Sequence, residues 1–283
     1  LQVALTERCN LNCSFCSVQK RENKYEFKYD ELLEATDMFC DLGIKTIEIT
    51  GGGEPLLFPR LKDYIQYCST VKNIKVGLIT NGINLTNIID QDTLNMLSWL
   101  RISMNCLDYV KNIEIPKIKG TLGFSYCIGS DASEEKLKKI VELANEYKVN
   151  YVRVVPNCLT TSEKLKEEHK RISEMVNRVG SPAFYQQKEF GQPDRCLWGQ
   201  YKPFLYCDGY VFPCSSVVLN DDAKRSFSKQ YRICHWKEAK SKIWFGEQNN
   251  TLVDTCKCNH CVFEGQNKLL ENLTLPIQHE DFI

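Results

Sequence analysis

Three cysteines near the start of the chain, Cys9, Cys13 and Cys16, are spaced C-x3-C-x2-C directly after a strand-like stretch. Gaps this short let one loop wrap three thiolates around one face of a cubane cluster. Four irons with three protein ligands leave one iron open. A fully ligated cluster passes electrons, whereas an open iron can also bind a substrate or cofactor. The competing assignments are zinc and unpaired structural thiols. Structural zinc takes four closed ligands, commonly in two pairs, and no histidine or fourth cysteine lies close to this triplet in sequence.

A second group stands far downstream. Cys196 and Cys214 bracket Gly209 as C-x12-G-x4-C, and Cys256, Cys258 and Cys261 follow as C-x-C-x2-C. A zinc knuckle is one reading of these residues and an iron–sulfur centre the other. Fifteen cysteines in 283 residues could form a secreted disulfide framework. Against that, the count is odd, no secretory pattern leads into the strand-like Leu1–Leu5, and the cysteines bunch at metal-ligand spacing. A cytoplasmic metal-cluster protein is the expectation.

Between the two groups, Thr50-Gly51-Gly52-Gly53-Glu54-Pro55 closes the second strand-like run. That is the strand end where α/β barrels place their active sites. Glycine lets backbone approach a ligand closely, and Glu54 can accept from an ammonium group. Alone, the run would read as a tight strand-to-helix turn. Placed after the cysteine triplet and within repeated β/α units, it resembles the radical S-adenosylmethionine (radical SAM) family over residues 1 to about 156. The resemblance implies that Cys9, Cys13 and Cys16 hold a 4Fe–4S cluster whose open iron chelates S-adenosylmethionine. It puts Phe15 near the adenine, Gly51, Gly52, Gly53 and Glu54 at the methionyl amino group, and Ser103 at the ribose or carboxylate. Thr80 ends the third strand as in many members, and Val154 and Val155 would contact the adenine. The chemistry so implied is reductive cleavage of the cofactor to a 5′-deoxyadenosyl radical that takes hydrogen from a substrate, with an external electron donor of flavodoxin or ferredoxin type.

The second group resembles the C-terminal extension of radical SAM proteins known as SPASM or twitch. No cysteine follows Cys261, which favours the shorter twitch form and one auxiliary 4Fe–4S cluster. The ligand choice is Cys196, Cys214, Cys258 and Cys261, with Cys256 able to replace Cys258 and Cys207 as a spare. Cys234 is too isolated to assign, and His260 is a further candidate ligand. Cys40 and Cys68 read as buried thiols on helices. Cys106, Cys127 and Cys158 fall at or beyond strand ends, where one could return a hydrogen atom to a substrate radical; Cys127 and Cys106 are the catalytic candidates. Tyr126 and Arg153, on late strands, are candidate substrate contacts.

The elements that must position these residues follow from hydrophobic period. Runs at Gln2–Thr6, Thr46–Thr50, Lys75–Thr80, Leu100–Met104, Leu122–Ile128 and Tyr151–Val155 read as strands. Leu32, Ala35, Phe39 and Leu42 repeat at helical spacing after an Asp30 cap, with Gly43 as the stop. Leu137, Ile140, Val141, Ala144 and Tyr147 repeat likewise, and weaker helical signals lie at Arg60–Thr70 and Thr86–Trp99. Alternation of this kind predicts a parallel sheet with right-handed crossovers, a partial (β/α)6 TIM-like barrel. Only a short helix or none is expected between Asn105 and Thr121, which Pro116 interrupts. Residues 157–180 read as one more helix. After Gly180 the pattern turns strand-like and cysteine-rich, so the division is a core of residues 1–180 and an extension of residues 181–283 built from a β-hairpin and a helix. Asp208-Gly209 predicts a type I′ hairpin turn.

Net charge is zero, 43% of residues are apolar and 25% charged. That balance disfavours nucleic acid as partner. No apolar run approaches the roughly 20 residues that span a bilayer. The expected function is modification of a peptide or protein, as in ribosomal peptide maturation. The alternatives are oxidation of a small alcohol or aminosugar and, outside catalysis, a zinc or iron–sulfur sensor module.

Overall fold

The computed structural model describes residues 1–19, 21–129, 133–157, 162–188, 191, 196–218, 231–242 and 261–274. Seven parallel strands lie side by side in chain order: β1 Gln2–Ala4, β2 Thr46–Thr50, β3 Lys75–Thr80, β4 Trp99–Ser103, β5 Thr121–Ile128, β6 Tyr151–Pro156 and β7 Ala183–Tyr185. Six were expected. The seventh is three residues long, too short to show a period in sequence. Among the described residues the sheet does not close on itself, which leaves an open, partial barrel.

Strand alternation sets the two faces. On β4, Leu100 and Ile102 are buried while Trp99, Arg101 and Ser103 are partly exposed; on β6, Val152 and Val154 are buried while Tyr151, Arg153 and Val155 are not. Parallel sheets usually bury apolar side chains on both faces. Here one face packs into the apolar core and the other is polar and lines a cavity.

The connections carry α1 Tyr29–Asp41, α2 Leu61–Gln66, α3 Leu85–Ile88, α4 Gln91–Leu94, α5 Glu134–Glu146 and α6 Ser162–Val179. α1 begins after Lys28, so Asp30 sits in the first turn instead of capping it, where its charge still favours the helix dipole. The helix expected over Thr86–Trp99 is two single turns. The Asp90 carboxylate accepts from the Thr93 N–H at 2.8 Å and restarts the chain as a fresh N-cap. The Arg60–Thr70 signal is α2 followed by a π turn over Tyr67–Val71. Between β4 and β5 there is only a 3₁₀ turn, Met104–Asp108.

The extension joins the same sheet. β8 Phe204–Leu205 pairs parallel to β1 on the side opposite β2, β9 Tyr210–Phe212 runs antiparallel to β8, and β10 Cys234–His235 antiparallel to β9. The hairpin turn is not type I′. The Gly209 N–H bonds the Tyr206 carbonyl at 2.9 Å, and of the two turn residues only Gly209 has positive φ, 85°. That is a type I turn closed by a glycine bulge, which needs one left-handed residue where type I′ needs two. No helix among the described residues is long and apolar enough to cross a membrane.

Candidate active site

Beyond β1 the chain enters the loop that carries Cys9, Cys13 and Cys16, all partly exposed. Side chains from elsewhere pin it. The Asn81 amide donates to Asn10 Oδ1 at 2.7 Å, and the Tyr109 hydroxyl donates to the Asn12 carbonyl at 3.1 Å. Arg21 reaches back with Nη2 on the Leu11 carbonyl at 3.0 Å and Nη1 toward Cys16 Sγ at 3.8 Å. Just upstream, the buried Glu7 carboxylate accepts from the Lys24 and Tyr25 N–H groups and from the Tyr206 hydroxyl of the extension. Burial pushes the Cys9 and Cys13 thiols up, and the neighbouring thiols add to that. Among the described residues no three His, Cys, Asp or Glu side chains converge on one point. A cubane, whose ligands sit on separate irons, fits this donor set better than a single zinc ion.

The glycine-rich turn after β2 lies against the start of that loop. A Cβ on Gly53 would stand 2.0 Å from the Arg8 carbonyl oxygen, and the Glu54 N–H bonds the same oxygen at 2.7 Å. Gly52, with φ of 103°, would bring a Cβ within 3.1 Å of the Thr6 carbonyl oxygen. The close approach that these two glycines allow is therefore to the chain's own backbone. Glu54 also differs from expectation. Its buried carboxylate caps the 3₁₀ turn Pro55–Leu57 through the Leu56 N–H at 3.0 Å, and it accepts from the Thr80 hydroxyl at 2.6 Å and the Asn81 N–H at 2.8 Å. Burial raises its pKa, against the pull of those three donors. A carboxylate has about four acceptor sites, so one, on Oε2, is left for an ammonium group. Thr80 is committed as well, since its hydroxyl also accepts from the Gly82 N–H at 3.0 Å. It links β2 to β3, and with its O–H donated to Glu54 it has no proton left to offer a cofactor.

The other predicted positions ring the strand ends. Ser103 is half-buried at the end of β4, in register with Ser125 of β5, and Phe15 is half-buried in the loop. Val154 is fully buried on the core side, with its carbonyl taken by the Gln186 N–H at 2.9 Å, so its side chain cannot meet an adenine; Val155 is the partly exposed neighbour. Cys106 is buried beneath the loop, its thiol pushed up to about 12 by burial and then by Cys13. Cys127 is half-buried, and its backbone N–H and C=O are both paired by the Asn105 side chain at 2.8 and 2.9 Å. Neither of these catalytic candidates lines the cavity. Tyr126 is buried.

That cavity, about 910 Å³, runs along the polar strand face. Gln2, Glu48, Arg101 and Arg153 contribute from the sheet, and Trp198, Lys202, Ser215 and Phe263 from the extension. Sequence reasoning singled out Arg153 but missed Arg101, whose place between the buried Leu100 and Ile102 was the available signal. The second cysteine group borders this wall. Ser215 follows Cys214 directly, and Val262 follows Cys261. Burial drives the Cys214 thiol up to about 12, with smaller contributions from Cys196 and Cys261, which belong to separate segments. Cys261 forms a bridge with Gly191 and receives the Asn267 amide at 3.6 Å. Cys207 is buried in the hairpin turn. Cys158, Cys256, Cys258 and His260 lie outside the described residues.

An open parallel α/β barrel with a three-cysteine loop at its first strand end is the architecture of an enzyme that works through an iron–sulfur cluster. Residues 3–155 match the Radical SAM superfamily model, and the chain belongs to that family, whose members use a 4Fe–4S cluster and S-adenosylmethionine. It is 26% identical over 310 aligned positions to a GTP 3′,8-cyclase of Clostridium botulinum (strain Okra / Type B1), covering 95% of this chain and 93% of that one. It is 32% identical over 158 positions to a GTP 3′,8-cyclase of Aquifex aeolicus, covering 54% of this chain and about half, 47%, of that relative. Among solved structures, Streptococcus suis SuiB bound to S-adenosylmethionine superposes with a TM-score of 0.55 at 16% identity, over 85% of this chain and 67% of that one. At that identity the likeness is one of fold.

Proposed function

We propose that Cys9, Cys13 and Cys16 would ligate the family's cluster, and that the cysteine loop, the Gly51–Glu54 turn and Ser103 would hold S-adenosylmethionine beside it. When bound, the cluster supplies the electron that splits the sulfonium into methionine and a 5′-deoxyadenosyl radical, which takes hydrogen from substrate carbon. The chain's own residues hold and orient. Asn81, Tyr109 and Arg21 fix the loop, the Gly51 backbone and the remaining Glu54 acceptor site take the methionyl ammonium, Ser103 takes the ribose or carboxylate, and Phe15 packs on the adenine. The cavity wall contributed by the extension covers the substrate and keeps water out.

Residues 1–180 form the core in this reading, with β7 just past that boundary completing its sheet beside β6. Residues 181–283 carry a twitch-like second cluster on Cys196, Cys214, Cys258 and Cys261, which exchanges electrons with the substrate side and with a flavodoxin- or ferredoxin-type donor in the cytoplasm. We favour a small polar substrate over the peptide expected from sequence. The cavity lies between the sheet and the extension and is lined by charged and aromatic groups, and the relative matched over nearly its full length is named for acting on GTP, a small polar molecule. The observation that carries the proposal is the three-thiol loop set against the Gly-rich turn at the ends of β1 and β2.

The test is anaerobic reconstitution followed by iron and sulfide analysis and detection of 5′-deoxyadenosine after dithionite and S-adenosylmethionine are added. About eight irons and deoxyadenosine formation are expected. Failure to form deoxyadenosine in any preparation overturns the proposal, and about four irons with cleavage intact removes the second cluster. Stimulation of cleavage by a peptide but by no small molecule would restore the peptide reading.

A further inference from the structure

Resting on the cavity as the substrate site, we infer that Arg101 and Arg153 form a two-guanidinium subsite for an oxyanion of the substrate, either a phosphoryl or a carboxylate group.

Both arginines are partly exposed on the polar face of the sheet and both line the same cavity. Arg101 lies one alternation below Ser103 on β4. Arg153 on β6 is in register with Ser125, which is itself in register with Ser103. Two strand spacings across the sheet and two residues along it, about 12 Å of backbone, separate them, a gap two extended arginines can close around a shared ligand. They already feel each other. Arg153 is lowered to about 10, first by burial and then by the charge of Arg101.

Neither forms a salt bridge among the described residues. Among the described residues Glu48 is the one carboxylate lining the cavity, against Arg101, Arg153, Lys188 and Lys202. Its oxygens already accept from Lys202 (Oε2, 2.8 Å) and from the Gln2 amide (Oε1, 2.7 Å), and its charge offsets that of Arg153 only in part. The Arg153 Nε donates to the neutral Gln186 carbonyl oxygen. Arg101 has a buried Nε with no hydrogen-bond partner and only the Trp99 ring, 5.4 Å from its guanidinium carbon. Two like charges held together in a partly desolvated cleft are costly unless a ligand compensates them. Guanidinium forks match carboxylate and phosphate geometry, and they remain charged throughout the physiological range. S-adenosylmethionine does not meet this need through its sulfonium, which two guanidiniums would repel.

The experiment is calorimetric titration of pyrophosphate, and separately of succinate, into the reconstituted holoenzyme saturated with S-adenosylmethionine. One of the two is expected to bind, and which one does so identifies the substrate group as phosphoryl or carboxylate. Arg101→Gln and Arg153→Gln should each weaken that binding at least tenfold. Arg101→Lys, which keeps the charge without the fork, should fall between. If the glutamine variants fail to load iron, the lysine variant and the wild-type titration decide the matter. The proposal is overturned if neither anion binds, if the variants bind as well as wild type, or if the anion displaces S-adenosylmethionine, since the arginines would then be serving that cofactor's carboxylate. Anion binding is read without turnover. A preparation that binds the anion but forms no deoxyadenosine therefore sinks the proposed function and leaves the subsite standing, and the reverse result does the opposite.

Discussion

The two cysteine groups are built in opposite ways. Cys9, Cys13 and Cys16 share one partly exposed loop, and a few polar contacts from Asn81, Tyr109 and Arg21 set its shape. Cys196, Cys214 and Cys261 come from three distant segments, and the last two are buried. A contiguous loop can keep one side open to a ligand. The proposed second centre would instead be assembled by tertiary packing, and burial of that kind suits passing electrons.

The largest expected effect breaks the symmetry between the groups. Cys13→Ala should remove about four irons and abolish deoxyadenosine formation, while Cys214→Ala should remove about four others and leave cleavage of the cofactor in place. Equal loss of cleavage in both variants would mean that the groups are not independent. Next, Gly53→Ala forces backbone away from Arg8, because its Cβ has no room beside that carbonyl. A cost of about 2–4 kcal/mol in urea unfolding, together with looser iron at the first site only, would show that the turn supports the loop. Wild-type stability would remove it from the comparison.

A smaller effect concerns tuning. The Arg21 contact with Cys16 sulfur should favour the reduced cluster, as N–H···S bonds and nearby positive charge do. Arg21→Met is expected to cut the reduced-to-oxidised ratio of the first cluster about tenfold at fixed poise, about 59 mV, with the second unchanged in an EPR-monitored titration. A midpoint that does not move denies the contact any electrostatic role.

The smallest effect supplies a baseline from a thiol in neither group. Cys68 is fully buried in the core and burial raises its pKa from 9.0 to about 12. The folded state therefore keeps this proton after the unfolded chain has lost it. The stability it confers is complete below pH 9 and fades as pH rises toward 12, by up to about 1.4 kcal/mol per pH unit. Urea midpoints of apo Cys68→Ala should decline less steeply above pH 9 than those of the apo wild type. Parallel curves would mean that this thiol ionises in the folded state as readily as in the unfolded one.

Much of the frame was legible because the strands of the core alternate cleanly. Leu100 and Ile102, or Val152 and Val154, mark a buried face at period two whatever surrounds them. The cysteine loop was legible because its ligands are adjacent in sequence. Side-chain commitments were not. Nothing in Thr50–Pro55 says that Glu54 turns inward to Leu56, Thr80 and Asn81, because those donors are brought to it by the neighbouring strand. The same holds for Val154, whose identity fits either face and whose register alone decides. The three-residue β7 and the parallel seat of β8 against β1 escaped for a related reason, since pairs so short carry no period and their partners lie far off in the chain.

That seat on β1 has a consequence for how the protein can be divided. β1 has a neighbour on each side, and one of them, Phe204–Leu205, belongs to the extension. A fragment ending near residue 180 would expose β1 as a bare sheet margin, with unpaired amides and carbonyls beside the cysteine loop, a template for sticking to other chains. The extension is thus no detachable accessory. Any replacement grafted in its stead would have to bring a parallel strand to the same place, and a lineage that lost it would have to blunt that margin by other means.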